Sequence, residues 1–240
     1  MNETVIEAHG LVKTFGSKTA VNQLDITVAK GEIFGLLGHN GAGKSTTIDC
    51  ILGTQKIDAG SVSLLGQDPL TNRQTLFQRV GVQFQQSAFQ TGLKVSEICA
   101  ITHSLYSNPI NWQEWIATFR LEDKRHTQIS DLSGGERQKL CILLAMMGNP
   151  DVLFLDELTP GLDPVARREI WHTLRKLNQA GVTIFLTSHD MNEVEHLCDR
   201  ILLLADGKEQ ISGTIQEVIH ASGQQNMEDA FLTLIGEEWK

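Results

Sequence analysis

The stretch that decides the fold is "GHNGAGKST", residues 38–46, set between the unbroken apolar run "IFGLL" (33–37) and "STTIDCIL", which continues as a helix. It matches G-x-x-x-x-G-K-[ST] in the strand-then-helix context that pattern requires. In such a loop, backbone N–H groups surround a phosphate at the positive end of a helix. Lys44 reaches the terminal phosphates, and the Ser45 hydroxyl serves as an Mg²⁺ ligand. The competing reading is a Gly-rich turn with a solvated lysine. From average glycine usage a chance match in such a chain is on the order of 1%, so the phosphate loop is preferred.

Two further runs, "DVLFLD" (151–156) and "TIFLTSH" (183–189), are also continuous rather than alternating, as suits strands buried on both faces of a parallel sheet. Ligands of open α/β sheets bind beyond the carboxyl ends of the strands, where Gly38, Asp156 and His189 are expected to meet. "TVIEAHG" and "LDITVAKGE" alternate like strands of a smaller antiparallel layer, with "KTFGSKT" as their connection, and "ILLLADGKEQISG" reads as a hairpin turned at Asp206-Gly207. Between about 87 and 148 the pattern turns helical and predicts an inserted lobe. It includes "NWQEWIATFR" and a helix from Glu136 whose Leu140, Leu143, Leu144 and Met147 share one face. Residues from about 214 to 240 read as a short tail, and the whole of 1–240 as one domain with lobes.

Asp156 ends its strand where a carboxylate could hold a metal shell, and Glu157 beside it could orient or deprotonate a water. An isolated Asp-Glu pair is more often a strand-end cap. Downstream of a phosphate loop the catalytic reading is the better one. His189 could donate to a γ-phosphate from the opposite side. A second anion cradle stands at "LSGGERQ" (132–138): Ser133 and Glu136 make an S-x-x-E capping box, and Gly134 and Gly135 let a ligand approach bare N–H groups. This cradle lacks a lysine, a metal ligand and a base of its own.

Taken in order, "GHNGAGKST", "LSGGERQ", "VLFLDE" and "LTSHD" resemble the ATP-binding cassette (ABC) ATPases over nearly the whole chain. The resemblance implies an α/β fold: a P-loop NTPase core of ABC type with a mostly parallel sheet, an antiparallel β subdomain and an inserted helical lobe. It also implies ATP and Mg²⁺ as ligands. Two subunits, expected to be a homodimer, would associate head to tail, so that Ser133, Gly134 and Gly135 of one close over ATP held by the other. The nucleotide contacts so implied are Phe15, stacking on adenine, and the loop Gly38, His39, Asn40, Gly41, Ala42, Gly43, Lys44, Ser45 and Thr46; His39, a variable loop position, receives no chemistry. Ser45, Gln85 and Asp156 are the implied Mg²⁺ ligands, Glu157 and His189 the catalytic pair, and Asp163 in "PGLDP" a dimer-interface residue. Phe15 departs from the commoner Tyr, Leu158 from Pro, and Pro160 from a small polar residue.

"LLGHNGAGKST" with "NMEDAFLTLIGEE" is similar to ATPase subunits of ABC-2 exporters, which implies a separately encoded transmembrane permease and a peripheral place on the cytoplasmic face of the membrane. A soluble ABC ATPase without transport, such as one serving iron–sulfur assembly, is the alternative. Net charge −9 and pI near 5.3 argue against a nucleic-acid partner, which needs a basic face. No apolar stretch approaches the ~20 residues that cross a bilayer, and "MNETVIEAHG" has no leader pattern. The single cysteines Cys50, Cys99, Cys141 and Cys198 suggest reduced thiols.

Overall fold

The structure is a computed structural model that describes residues 3–84, 88–158 and 162–236. A long hairpin of β1 (Thr4–Phe15) and β2 (Lys18–Ala29) opens the chain, followed by β3 (Ile33–Leu37), α1 (Lys44–Ile51) and β4 (Ala59–Leu64). Next come α2 (Arg73–Leu76), β5 (Val80–Gln83), α3 (Val95–His103), α4 (Trp112–Thr118), α5 (Gly134–Ala145) and β6 (Val152–Asp156). The chain continues through α6 (Pro164–Gln179), β7 (Thr183–Ser188), α7 (Met191–Leu197), β8 (Arg200–Ala205), β9 (Lys208–Thr214), α8 (Ile215–Ser222) and α9 (Met227–Ile235).

The central sheet has the order β5-β6-β7-β3-β8-β9. It is parallel from β5 to β8, and β9 returns antiparallel to β8 through the turn at Asp206-Gly207. Every residue of β3, β6 and β7 is buried. Side chains alternate between faces with period two, so a run apolar at every position requires cover on both sides. That cover exists: Ile33, Leu37, Leu153, Leu155, Ile184 and Leu186 join one apolar core, whereas Phe34, Leu36, Val152, Phe154 and Phe185 join the other.

The second face is covered by α1 and by the antiparallel sheet β2-β1-β4, with Ile6, Leu24, Ile26, Ile48 and Ile51 in its core. Phe185 lies at its centre, with ring centroids 5.5 Å from Phe34 and 5.3 Å from Phe154. The first face is covered by helices. Val95 of α3, Ile116 of α4, Leu140 of α5, Ile170 of α6, Val194 of α7, Val218 of α8 and Met227 of α9 belong to one continuous cluster. The described part of the stretch from 87 to 148 therefore shares its core with the rest of the chain, through residues from Val95 to Met147.

Some elements differ from the sequence reading. "KTFGSKT" is no simple connection: Thr14 pairs with Thr19 and Phe15 with Lys18, leaving only Gly16 and Ser17 at the turn. The strand extends because the buried Lys13 is compensated, its Nζ lying 3.3 Å from Asp58 Oδ1. Strands β4 and β5 were not anticipated, since "AGSVSL" and "VGVQ" are too short and Gly-containing to show a period. Helix α5 buries Cys141, Ile142 and Ala145 beside the foreseen Leu140 and Leu143, so its apolar surface is wider than one stripe. The C-terminal segment forms α8 and α9, which bury Val218, Met227 and Ala230; the Met227 N–H donates to Glu195 at 2.7 Å.

Truncating Phe185 to Ala removes both ring contacts in a core that cannot collapse. It should cost about 3–5 kcal/mol of unfolding free energy in denaturant titration. Leu105→Ala, at an exposed position, should stay within about 0.5 kcal/mol of the parent.

Candidate nucleotide site

The loop after β3 is held in one shape by contacts that a larger residue would break. Gly43, the N-cap of α1, has φ of 110°, and a Cβ there would lie 2.3 Å from the carbonyl oxygen of Ala20. The loop is thus pressed against β2. Lys44 folds back along it, donating to the carbonyls of Gly38 at 2.8 Å and His39 at 3.2 Å. Its side chain is only 5% exposed, and Nζ lies 4.0 Å from Glu157 Oε1. Burial lowers the lysine pKa from its ordinary value, and the carboxylates of Glu157 and Asp156 oppose that shift. An ammonium held this way is a partly desolvated cation whose field reaches the space above the loop.

Asp156 closes the floor of the site from β6. Its two carboxylate oxygens have separate donors: Thr187 Oγ1 gives Oδ1 a bond of 2.5 Å, and Ser45 Oγ gives Oδ2 one of 3.2 Å. Glu157 follows with φ of 51°, an uncommon conformation for a non-glycine residue. Its N–H donates to Thr187 Oγ1 at 3.1 Å. Half-exposed His189 comes from the end of β7 and places Nδ1 3.7 Å from Glu157 Oε1.

Lys44, Ser45 and Glu157 face a cleft of about 410 Å³ that is also lined by Phe15, Lys18, Ala20, Asn40, Gly41, Gly43 and Thr46; Asp156 and His189 are not in its wall. Phe15 stands half-exposed on its rim with Lys13 Nζ 5.1 Å from the ring centroid. Of the anticipated loop contacts, Gly38, His39 and Ala42 do not line this cleft. Gly38 and His39 present carbonyls to Lys44, and buried Ala42 accepts a hydrogen bond from the Gly207 N–H at 3.0 Å. A second cavity of about 480 Å³ adjoins on the His189 side, between α7 and α9. Gln85 lies outside the described residues.

The other cradle stands apart. Ser133 caps α5: its Oγ accepts from Glu136 N at 3.3 Å, and Glu136 Oε2 accepts from Ser133 N at 2.9 Å. The Ser133 backbone bond, helped by Lys124, holds the Glu136 carboxyl below its ordinary pKa. Ser133, Gly134 and Gly135 are absent from the lining of the phosphate-loop cleft. A Cβ on Gly135 would lie 2.8 Å from Ala166 Cβ, so this glycine is required by packing of α5 on α6. Asp163 is exposed and caps α6, accepting from Val165 N at 2.9 Å and Ala166 N at 3.0 Å.

A family model described as ABC transporter matches residues 21–160. The Nod factor export ATP-binding protein I of Burkholderia lata is 37% identical over 227 residues, spanning 90% of this chain and 73% of that protein. The protein of the same name from Rhizobium sp. (strain N33) is 39% identical over 225 residues, spanning 91% and 74%.

This chain belongs to the ABC transporter family.

It is an ATP-binding ABC ATPase, the subunit that hydrolyses nucleotide in an ATP-driven transporter. Solved structures agree in fold. An ATP-binding subunit of an ABC transporter superposes with TM-score 0.87 over 96% of this chain and 99% of its own, at 24% identity. A bacterial ABC transporter cassette described as dimeric gives 0.76 over 87% and 98%, also at 24% identity. The ABC cassette fold accounts for the convergence of β3, β6 and β7 at one edge.

Two features of this ABC ATPase were not found by sequence reasoning. Thr187 joins Asp156 to the Glu157 backbone, and its signal was a polar residue directly after the apolar run Ile184–Phe185–Leu186. Arg167 of α6 donates to Asp190 Oδ2 at 2.7 Å, beside His189. Nothing in the spacing announces that pair.

Gly135→Ala should lower stability by about 1–3 kcal/mol through overpacking. Combined with Ala166→Gly, it should lose less than the sum of the two single changes in denaturant unfolding. Strict additivity would show that the two positions do not press on each other.

Proposed function

We propose that this ABC ATPase works as a homodimer that sandwiches two ATP molecules and drives export through a separate transmembrane permease. The observation carrying this reading is the division of labour within one chain. The cleft lined by Lys44, Ser45 and Glu157 has no Ser133 or Gly134 in its wall, while the capped N-terminus of α5 offers N–H groups beside Glu136, whose carboxylate is already engaged by the Ser133 N–H and by Lys124. Each half-site supplies what the other lacks. A γ-phosphate contacting both at once makes nucleotide the link between subunits, and its cleavage loosens them.

Within the composite site the residues take distinct roles. Phe15 offers a ring face to the base, and Lys44, with the loop N–H groups, binds the phosphates. Ser45 and Asp156 present hard oxygen donors that are already convergent, a set suited to Mg²⁺ with phosphate oxygens and water completing the shell. Mg²⁺, when bound, neutralises charge on the β- and γ-phosphate oxygens. Gln85 is assigned to the same shell. Glu157 accepts a proton as water oxygen bonds to the γ-phosphorus and the bond from phosphorus to the β–γ bridging oxygen breaks. His189, within 3.7 Å of Glu157, stabilises charge on the departing γ-phosphate. Asp163, exposed at the head of α6, faces the partner subunit.

Export is supported by the names of the relatives and by the "NMEDAFLTLIGEE" segment, of which Met227–Ile235 forms α9. The chain's own surface supports a permease contact. Phe84 just after β5, Ile101 of α3 and Leu105 just beyond α3 are large apolar side chains left exposed. Among the described residues no helix is long and apolar enough to cross a membrane, so attachment to the cytoplasmic face would run through that contact.

Glu157→Gln should bind ATP as the parent does, hydrolyse it at least about 100-fold more slowly, and accumulate as an ATP-dependent dimer in size-exclusion chromatography. Parent-like turnover would remove Glu157 from the role of base. Mixing Ser133→Arg subunits with Lys44→Ala subunits should restore hydrolysis, since a mixed dimer contains one intact composite site. Activity no higher than that of either variant alone would overturn the shared-site arrangement.

A further inference from the structure

Thr187 has no role in the site as so far assigned, yet its hydroxyl sits between the two acids on which hydrolysis depends. It is fully buried at the carboxyl end of β7 and stands opposite Asp156 in the parallel register. A threonine hydroxyl has one proton to give and two lone pairs to receive with. The proton goes to Asp156 Oδ1, and a lone pair receives the Glu157 N–H. One side chain therefore orients the carboxylate of one acid and the backbone of the next.

Both bonds act on quantities that matter to the chemistry. With Oδ1 held by Thr187 and Oδ2 by Ser45, the Asp156 carboxylate is fixed at two points, so its plane cannot turn about the last side-chain bond. Glu157 leaves β6 with φ of 51°, a conformation that persists only where the surroundings impose it. The Thr187 hydroxyl supplies such a constraint at the amide where the turn begins. Packing alone gives no reason for the hydroxyl: the preceding residues of β7 are Ile184, Phe185 and Leu186, and a valine would fill the same volume.

We propose that Thr187 is a positioning residue for hydrolysis, setting Asp156 to receive the metal and Glu157 to receive the proton of the attacking water. The inference rests on the roles given above to Asp156 and Glu157, and the test separates the two.

Thr187→Val, Thr187→Ser and Asp156→Asn are compared with the parent protein. ATP hydrolysis is titrated with Mg²⁺, and binding of a fluorescent ATP analogue is measured once in EDTA and once in Mg²⁺. Thr187→Val should bind the analogue in EDTA as the parent does, because the phosphate loop is untouched. It should need about 10-fold more Mg²⁺ for half-maximal hydrolysis, with kcat reduced about 10-fold, the scale of lost support for a metal ligand. The stimulation of analogue binding by Mg²⁺ should weaken in parallel, and Thr187→Ser should restore all three quantities.

Should the valine variant fail to fold, Thr187→Ala is read in the same assays. Serine behaving no better than valine or alanine overturns the proposal, since the hydroxyl would then be irrelevant. A raised Mg²⁺ requirement in Asp156→Asn with an unchanged one in Thr187→Val overturns it as well. An unchanged requirement in Asp156→Asn itself would instead overturn the assignment of Asp156 as metal ligand.

Discussion

A sheet covered on both faces leaves polar chemistry one exit, the carboxyl edge of its strands. Strands β3, β6 and β7 have no exposed residue, and their alternate side chains fill two separate cores. Removing so much backbone from water is tolerable because the ladder satisfies each N–H and C=O. Where the ladder stops, the freed groups need partners: at this edge Lys44 donates to the carbonyls of Gly38 and His39, and Thr187 Oγ1 accepts from the Glu157 N–H. Rigid packing behind the edge is what allows fixed contacts to persist among the polar and charged groups in front of it.

How much of this was legible in the sequence depended on whether one physical cause dominated locally. Continuous apolar runs with polar ends gave β3, β6 and β7, since only two-sided burial produces them. The hairpin at Asp206-Gly207 was visible in its turn chemistry. Strands β4 and β5 were not, because four to six residues with glycine and serine carry no usable period, and neighbouring strands impose their form. The same holds for Lys13, whose burial within β1 is compensated by Asp58 of a distant segment. At the site, the phosphate loop, Asp156, Glu157 and His189 were readable as motifs. The inward turn of Ala42 and the bridging hydroxyl of Thr187 were not, since both are set by contacts across the sheet.

Gly135 shows how two causes can occupy one motif. In sequence, adjacent glycines before a capped helix point to a ligand approaching bare N–H groups. In the structure, Gly135 is also the position where α5 meets Ala166 of α6, with no room for a Cβ, while Gly134 has only Leu162 at ordinary contact distance. The glycine further along the helix thus lets two helices approach, and the one at its first position leaves the N-terminus open. Close packing brings the head of α6, with its Asp163 cap, beside the Ser133 cradle. Elements expected to meet a partner subunit are thereby set in one surface by a contact internal to the chain.

From that surface α6 runs back toward the catalytic edge, and its links to α7 follow the helical repeat. Arg167 bonds Asp190, Trp171 Nε1 donates to Glu193 at 3.3 Å, and Arg175 donates to the carbonyl of His196 at 2.7 Å, each one turn beyond the last. Three bonds spaced along one helix face resist sliding as well as rotation, which a single bond cannot do. Asp190 is also the N-cap of α7 and immediately follows His189, so the first of these bonds grips the loop that carries the histidine. The N-terminus of α6, the end next to the Ser133 cradle, is therefore tied to the loop of His189 through a braced pair of helices. Under the proposed shared site, such bracing would tie the position of His189 to whether the partner is in place.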